Sequence, residues 1–169
     1  MGLAVSGATL PVLVAGAAAL LVGLAGGVAT RTDAWYHGLR VPAWKPPDRA
    51  FGPIWAVILA LAAASASLGW SASAGTAERA LLLAAFGLNA VLNIAWSVLF
   101  FRLRRPDWAL AEIVLLWLSI LLLVIVLARL SLAGALLLLP YLGWVGVAAF
   151  LNLRILRLNP GLAADARGG

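Results

Sequence analysis

Hydrophobic residues along this chain fall into five long blocks, with no strand-like alternation. The blocks cover about Thr9–Ala29, Phe51–Trp70, Ala80–Phe101, Trp108–Ala128 and Leu132–Leu153. Each holds roughly 20 residues, enough at about 1.5 Å of rise per residue to cross a hydrocarbon layer about 30 Å thick. None carries Lys or Arg in its middle. Backbone groups in lipid must be satisfied within the segment, so blocks of this length predict helices. The short links Arg102–Asp107 and Arg129–Ser131 make consecutive helices antiparallel. The expected fold class is an all-α integral membrane protein, a five-transmembrane-helix bundle forming one domain over residues 1–169.

Composition agrees. The chain is 64% hydrophobic and 11% charged, where soluble domains carry about 25% charged residues. It has no cysteine, which excludes disulfide and thiolate chemistry. No basic n-region precedes the first block, so that block reads as a span and not as a signal peptide. Charge adds an orientation. Arg79 and Arg129 stand on the side of the N-terminus. The other side carries Arg31, Arg40, Lys45, Arg49, Arg102, Arg104, Arg105, Arg154, Arg157 and Arg167. The richer side is expected to be cytoplasmic, which puts the N-terminus outside. A net charge of +6 spread over such links points to the lipid bilayer and not to nucleic acid.

One stretch is neither block nor short link. W-Y-H-G-L-R-V-P-A-W-K-P-P-D-R-A-F-G-P-I-W, from Trp35 to Trp55, holds Pro42, Pro46, Pro47 and Pro53, and the only histidine, His37. Proline fixes φ and biases the preceding residue towards extended backbone. Loop 31–50 therefore reads as a stiff, extended, non-helical cover carrying Tyr36 and Trp44. His37 reads as a solvated loop side chain before it reads as a haem-iron ligand. Lys45, Arg40 and Arg49 read as interface anchors or as partners for acid groups.

Polar and aromatic residues within the blocks share faces. Asn89, Asn93, Trp96 and Phe100 are spaced 4, 3 and 4 apart, one helix face. Asparagines in a span are costly without partners, so they either bond between helices or form a polar spot in a cavity wall. Tyr141, Trp144, Ala148 and Asn152 form a second face, behind a Pro140 that predicts a bend and a freed carbonyl. Trp55 stands near the start of the second block. All three faces reach the level just beneath the loop. Together they predict an aromatic pocket with amides and a basic rim, suited to a large, flat, apolar ligand carrying carboxylates. Trp70 and Trp108 read as interfacial belt residues. Glu112 is expected to pair with an arginine of the Arg102–Arg105 cluster. Ala80, Ala84 and Gly87 are a candidate homodimer face.

Three motifs now line up. W-Y-x-x-L-x-x-P-x-W-x-P-P-x-x-x-F-x-x-x-W at Trp35–Trp55, L-N-x-x-W-S-x-x-F-F at Leu92–Phe101 and L-P-Y-L-x-W-x-x-x-A-x-x-L-N at Leu139–Asn152 resemble the TspO/MBR family, the tryptophan-rich sensory and translocator proteins. The resemblance implies a five-helix homodimer that binds protoporphyrin IX or haem. Carried onto this chain, it puts Tyr36, Trp55, Asn93, Trp96, Phe100 and Trp144 at the ligand site, to which the loop and the two polar faces add Trp44, Pro46, Pro47, Asn89, Tyr141, Ala148 and Asn152. It also implies that Trp55 and Trp144 would be the reacting indoles, should light- and oxygen-dependent breakdown of the porphyrin occur. Neither a resident cofactor nor a metal site is expected; the porphyrin is the ligand. The chain departs from the family at Leu59, at Asn89 and at Leu153, where the sterol-recognition pattern would need a tyrosine. Porphyrin is therefore expected ahead of sterol. The leading reading is a tetrapyrrole-binding module for sensing, regulating or handling porphyrins. A porphyrin-degrading enzyme is the alternative and a porphyrin or sterol transporter a third.

Overall fold

The computed structural model of the chain describes residues 9–164; Arg167, which entered the charge asymmetry, lies outside them. Its helices are α1 (Thr9–Ala29), α2 (Ala34–His37), α3 (Asp48–Ala72), α4 (Thr76–Ser97), α5 (Pro106–Leu130), α6 (Leu132–Leu137), α7 (Leu139–Leu158) and α8 (Gly161–Ala164). A π-helical turn, Val98–Arg102, continues α4. Among the described residues, five helical stretches are long and apolar enough to cross a membrane: α1, α3, α4 with its π turn, α5, and α6 with α7. Their ends run beyond several hydrophobic blocks. Asp48, Glu78 and Asp107 stand in first helical turns, where a carboxylate is favoured by the helix dipole. The protein is an integral, multi-pass membrane protein.

α5 is the axis of the bundle. Ala109, Ile113, Leu116, Ile120, Leu123 and Leu127 recur at helical spacing and are almost wholly buried, packed among α4, α6 and α7. α1 lies at the periphery against α3 and α4. Ala29 is its one buried residue, and Leu20, Leu21 and Leu24 point outward.

The fifth span breaks where Pro140 predicts. Leu138 turns its N–H to Ala135 O, 3.1 Å away, instead of to Gly134. The Gly134 carbonyl is taken by the buried Ser65 hydroxyl of α3 at 2.8 Å. That bond satisfies the acceptor that Leu138 leaves, as backbone in lipid requires; the carbonyl that Pro140 itself frees is that of Leu136, four residues earlier. Loop 31–50 differs from the extended, non-helical reading at α2, at a turn that Lys45 N closes onto Pro42 O at 3.0 Å, and at its end, where residues 48–50 already belong to α3. Asp33 accepts a hydrogen bond from Tyr36 N at 3.2 Å and so caps the single turn α2, a role that short acidic side chains fill well. From Gly38 to Pro47, where Pro42, Pro46 and Pro47 stand, the chain forms no helix.

Candidate functional site

The loop is fastened at three points. Tyr36 is buried and donates its hydroxyl to Asp48 Oδ1 at 2.7 Å. Lys45 pairs with the same carboxylate, and its ammonium stands 5.4 Å from the Tyr36 ring centroid. Burial, then the bond to Asp48, hold the Tyr36 phenol above its ordinary pKa. At the other end, Asn159 accepts from Arg40 N at 3.0 Å and donates to Arg40 O at 2.8 Å. Asp33 receives Arg104 at 2.9 Å. Arg104 has φ 53, a left-handed conformation rare outside glycine, which helps turn the chain sharply between the π turn and α5.

Asp33 makes this fastening sensitive to acid. Its bond from Tyr36 N, with help from Arg104, holds the Asp33 carboxyl below the usual carboxylate range. A group depressed in the folded state stabilises fully above its unfolded pKa and loses that contribution as pH falls through the folded value. Loop cleavage by an acid-tolerant protease is therefore expected to quicken below about pH 4. Asp33→Asn keeps a capping oxygen but no titrating charge, so it should flatten that rise. An unchanged pH profile in Asp33→Asn would contradict the assignment.

Beneath the loop lie two sets of ring contacts. One consists of two separate pairs: Trp55 meets Tyr141 edge-on at 5.9 Å and Phe51 meets Trp144 at 5.7 Å. In the other, Trp96 stacks on Phe100 at 5.3 Å, and Phe100 also meets Trp35 at 6.1 Å and Phe101 at 4.9 Å. The π turn places Phe100 and Phe101 side by side. Such turns concentrate at functional sites. Trp44 is exposed and stacks on Phe150, 5.4 Å away, outside both groups. Pro46 is half-buried in the loop, and Pro47 precedes α3 as its extended N-cap. Ala148 is half-buried and packs against the main core.

Deeper in the bundle the asparagines find partners. Asn93 donates to Tyr141 OH at 2.9 Å, and that hydroxyl donates to Asn89 Oδ1 at 3.2 Å. Asn89 Nδ2 donates to Ser119 at 2.9 Å, and Ser119 to Leu116 O at 2.7 Å. This chain joins α4, α7 and α5. Of the two readings open for the asparagines, interhelical bonding is present, and Asn89 also touches a cavity. Ser119 had no visible signal, being one hydroxyl in a run of Leu, Ile and Val broken only by Trp117.

Several buried polar atoms in the loop-side half make no hydrogen bond among the described residues: Trp96 Nε1, Trp144 Nε1, the side-chain oxygen and nitrogen of Asn152 and both carboxylate oxygens of Glu112. The expected pairing of Glu112 with an arginine is not made. Arg102 donates to Val28 O at 2.7 Å, Arg104 goes to Asp33 and Arg105 to Asp107 at 2.6 Å. Helical phase is the reason. Glu112 shares the inward face of α5 with buried Ala109 and Leu116, while Arg102 and Arg104 are exposed. His37 is exposed beside the Tyr36 ring.

The family model described as TspO/MBR family matches residues 13–158. The chain belongs to the TspO/MBR family. It is 38% identical over 147 residues to the tryptophan-rich protein TspO of Chlorobaculum tepidum, covering 83% of this chain and 90% of that protein. It is 36% identical over 129 residues to protein CrtK of Rhodobacter capsulatus, covering 76% and 80%. It is 32% identical over 134 residues to the human translocator protein, covering 79% of each. In this TspO/MBR chain, Trp55, Tyr141 and Asn93 come together, as do Tyr36, Trp96 and Phe100 through shared ring contacts. A cavity of about 330 Å³ lies in the opposite half of the bundle. Of the expected ligand-site residues it touches Asn89 and Tyr141 alone.

Proposed function

We propose that this TspO/MBR protein binds a protoporphyrin-type tetrapyrrole beneath loop 31–50, between the loop-side halves of α3, α4 and α7. The observation that carries the reading is the set of buried polar atoms in the loop-side half without partners among the described residues: Trp96 Nε1 and Trp144 Nε1, both on packed rings, with Asn152 and Glu112. Buried polar groups are as a rule hydrogen-bonded, and each exception calls for an explanation. A tetrapyrrole would exchange ring–ring contacts for ring–macrocycle contacts and offer polar groups to those atoms. Arg40, Arg49 and Arg157, all exposed on the loop side, would meet its carboxylates. The experiment is a dark titration of the purified protein with protoporphyrin IX, read by tryptophan quenching. Saturation is expected, and a linear, non-saturating response would reject the site.

A degradation reading draws on one contact. The Trp55 ring lies against Tyr141, so an indole oxidised near a photoexcited porphyrin would have a phenol beside it. Illumination of the complex in oxygen separates the readings. A stable spectrum supports binding alone, whereas a light-driven product lost in both Trp55→Phe and Trp144→Phe supports chemistry at the indoles.

The loop side is proposed to be cytoplasmic, by the distribution of Lys and Arg. The chain lacks cysteine, so Arg49→Cys gives a single reporter. Labelling of intact cells by an impermeant thiol reagent would contradict this orientation. A homodimer is proposed through the exposed α4 face of Ala80, Ala84 and Gly87. A Cβ at Gly87 meets nothing within 4 Å. Gly87→Leu is therefore expected to leave the monomer fold intact and shift the mass in detergent from dimer to monomer. An unshifted dimer would place the interface elsewhere.

A further inference from the structure

The cavity away from the loop has a simple sequence origin. Ala15, Ala18 and Ala19 of α1 face Ala62, Ala63 and Ala66 of α3, with Ala90 of α4 closing the third side. Small residues at helix contacts usually let backbones close up. Here they leave a space of about 330 Å³, at the lower end of the ~300–1,000 Å³ of ligand pockets. The lining runs along α1 from Leu10 to Val22, a rise of about 18 Å. A space so long with so little volume is narrow.

Its chemistry is equally restricted. No charged side chain lines it, so nothing there would meet the carboxylates of a tetrapyrrole. The polar groups at its floor, Asn89 and Tyr141, are already bonded to one another and to Ser119 and Asn93. An occupant therefore needs no matching polar group. The mouth is continuous with the outer surface of the spans. Leu10, Val14 and Leu83, which line the cavity, are 60%, 57% and 61% exposed, and in a membrane those surfaces meet lipid tails. An unfilled apolar space forfeits dispersion contacts on every wall.

We propose that this cavity is a second binding site, which takes one hydrocarbon chain of a membrane phospholipid entering sideways between α1, α3 and α4. The inference stands apart from the tetrapyrrole reading, since it shares neither the loop nor the tryptophans beneath it.

The test uses the full chain in phosphatidylcholine nanodiscs containing a phosphatidylcholine with a photoreactive group on one acyl chain. Adducts are mapped by mass spectrometry after illumination. They are expected to concentrate on the α1 face between Leu10 and Val22 and on α3 between Leu59 and Ala66, and to saturate with probe. Ala63→Leu and Ala18→Phe fill the cavity and should lower those adducts several-fold, leaving adducts at the outward-facing Leu24 unchanged. Helicity and thermal melting check that each variant folds; where one does not, the other carries the comparison. Where neither folds, the wild-type map decides by itself. Adducts spread evenly over outward-facing side chains, or unchanged in a folded filled variant, would overturn the proposal. Efficient displacement by a sterol at low mole fraction would overturn the choice of a single chain.

Discussion

Trp144→Ala is expected to weaken protoporphyrin IX binding about ten- to a hundredfold, with Trp108→Ala close to wild type. Stacking of a flat heterocycle on one aromatic side chain is worth ~1–3 kcal/mol by alanine substitution, and about 1.4 kcal/mol is tenfold in affinity. Trp144 is placed to supply such a face. It lies one turn beyond Pro140 on α7, its ring is held against the edge of Phe51 at 5.7 Å, and its Nε1 is buried without a partner. Trp144→Phe separates the two contributions. It keeps a ring and loses the N–H, so an intermediate loss is expected if the macrocycle both stacks and accepts a hydrogen bond. Trp108 is the right control because it is 54% exposed and engaged with Arg105, whose guanidinium lies 4.3 Å from its ring. Dark titrations of folded variants check the prediction. Equal affinities for wild type and Trp144→Ala would move the ligand away from α7.

The aromatic groups were legible in advance because helical spacing fixes which residues share a face. Asn89 and Asn93 stand four apart, and both reach Tyr141. What spacing cannot supply is the partner across a helix contact. Nothing local marks Ser119 as the acceptor for Asn89. The π turn at Val98–Arg102 contains neither proline nor glycine, and it shifts Phe100 and Phe101 relative to a continuous α-helix. Glu112 misled for a related reason. Proximity in sequence to Arg105 suggested an ion pair, but Asp107 is nearer to that guanidinium and helical phase turns Glu112 inward. The short helix α2 had a readable cap in Asp33, three residues before Tyr36. It was hidden because the prolines further along set the reading for the whole loop. The tie from Asn159 to Arg40 spans 119 residues, a separation at which sequence pattern carries no signal.

Gly69→Leu is expected to destabilise the bundle by roughly 3 kcal/mol or more, the upper end of what overpacking costs. Gly69 lies near the end of α3 and is buried where that helix crosses α4 and α5. A Cβ there would stand 2.4 Å from Leu127 Cδ2 and 3.3 Å from Leu82 Cδ1. Leu127 is wholly buried and Leu82 is 3% exposed, so neither side chain has free space to retreat into. Glycine is thus required by close approach and not by backbone conformation, since among the described residues no glycine has positive φ. The comparison with Gly16 sharpens the point. A Cβ at Gly16 of α1 meets nothing within 4 Å, and Gly→Ala within a helix gains roughly 0.5–1 kcal/mol from backbone entropy. Gly69→Leu and Gly16→Ala should therefore move detergent-unfolding midpoints in opposite directions. Leu127→Ala is expected to destabilise when made alone, by emptying a packed site. Combined with Gly69→Leu, it removes the atom that the new side chain strikes. The double variant should then be more stable than the sum of the two single losses, a coupling that contacting residues show and distant ones do not. Strict additivity would mean that α3 and α5 do not meet at Gly69, and the helix order around α5 would have to be redrawn.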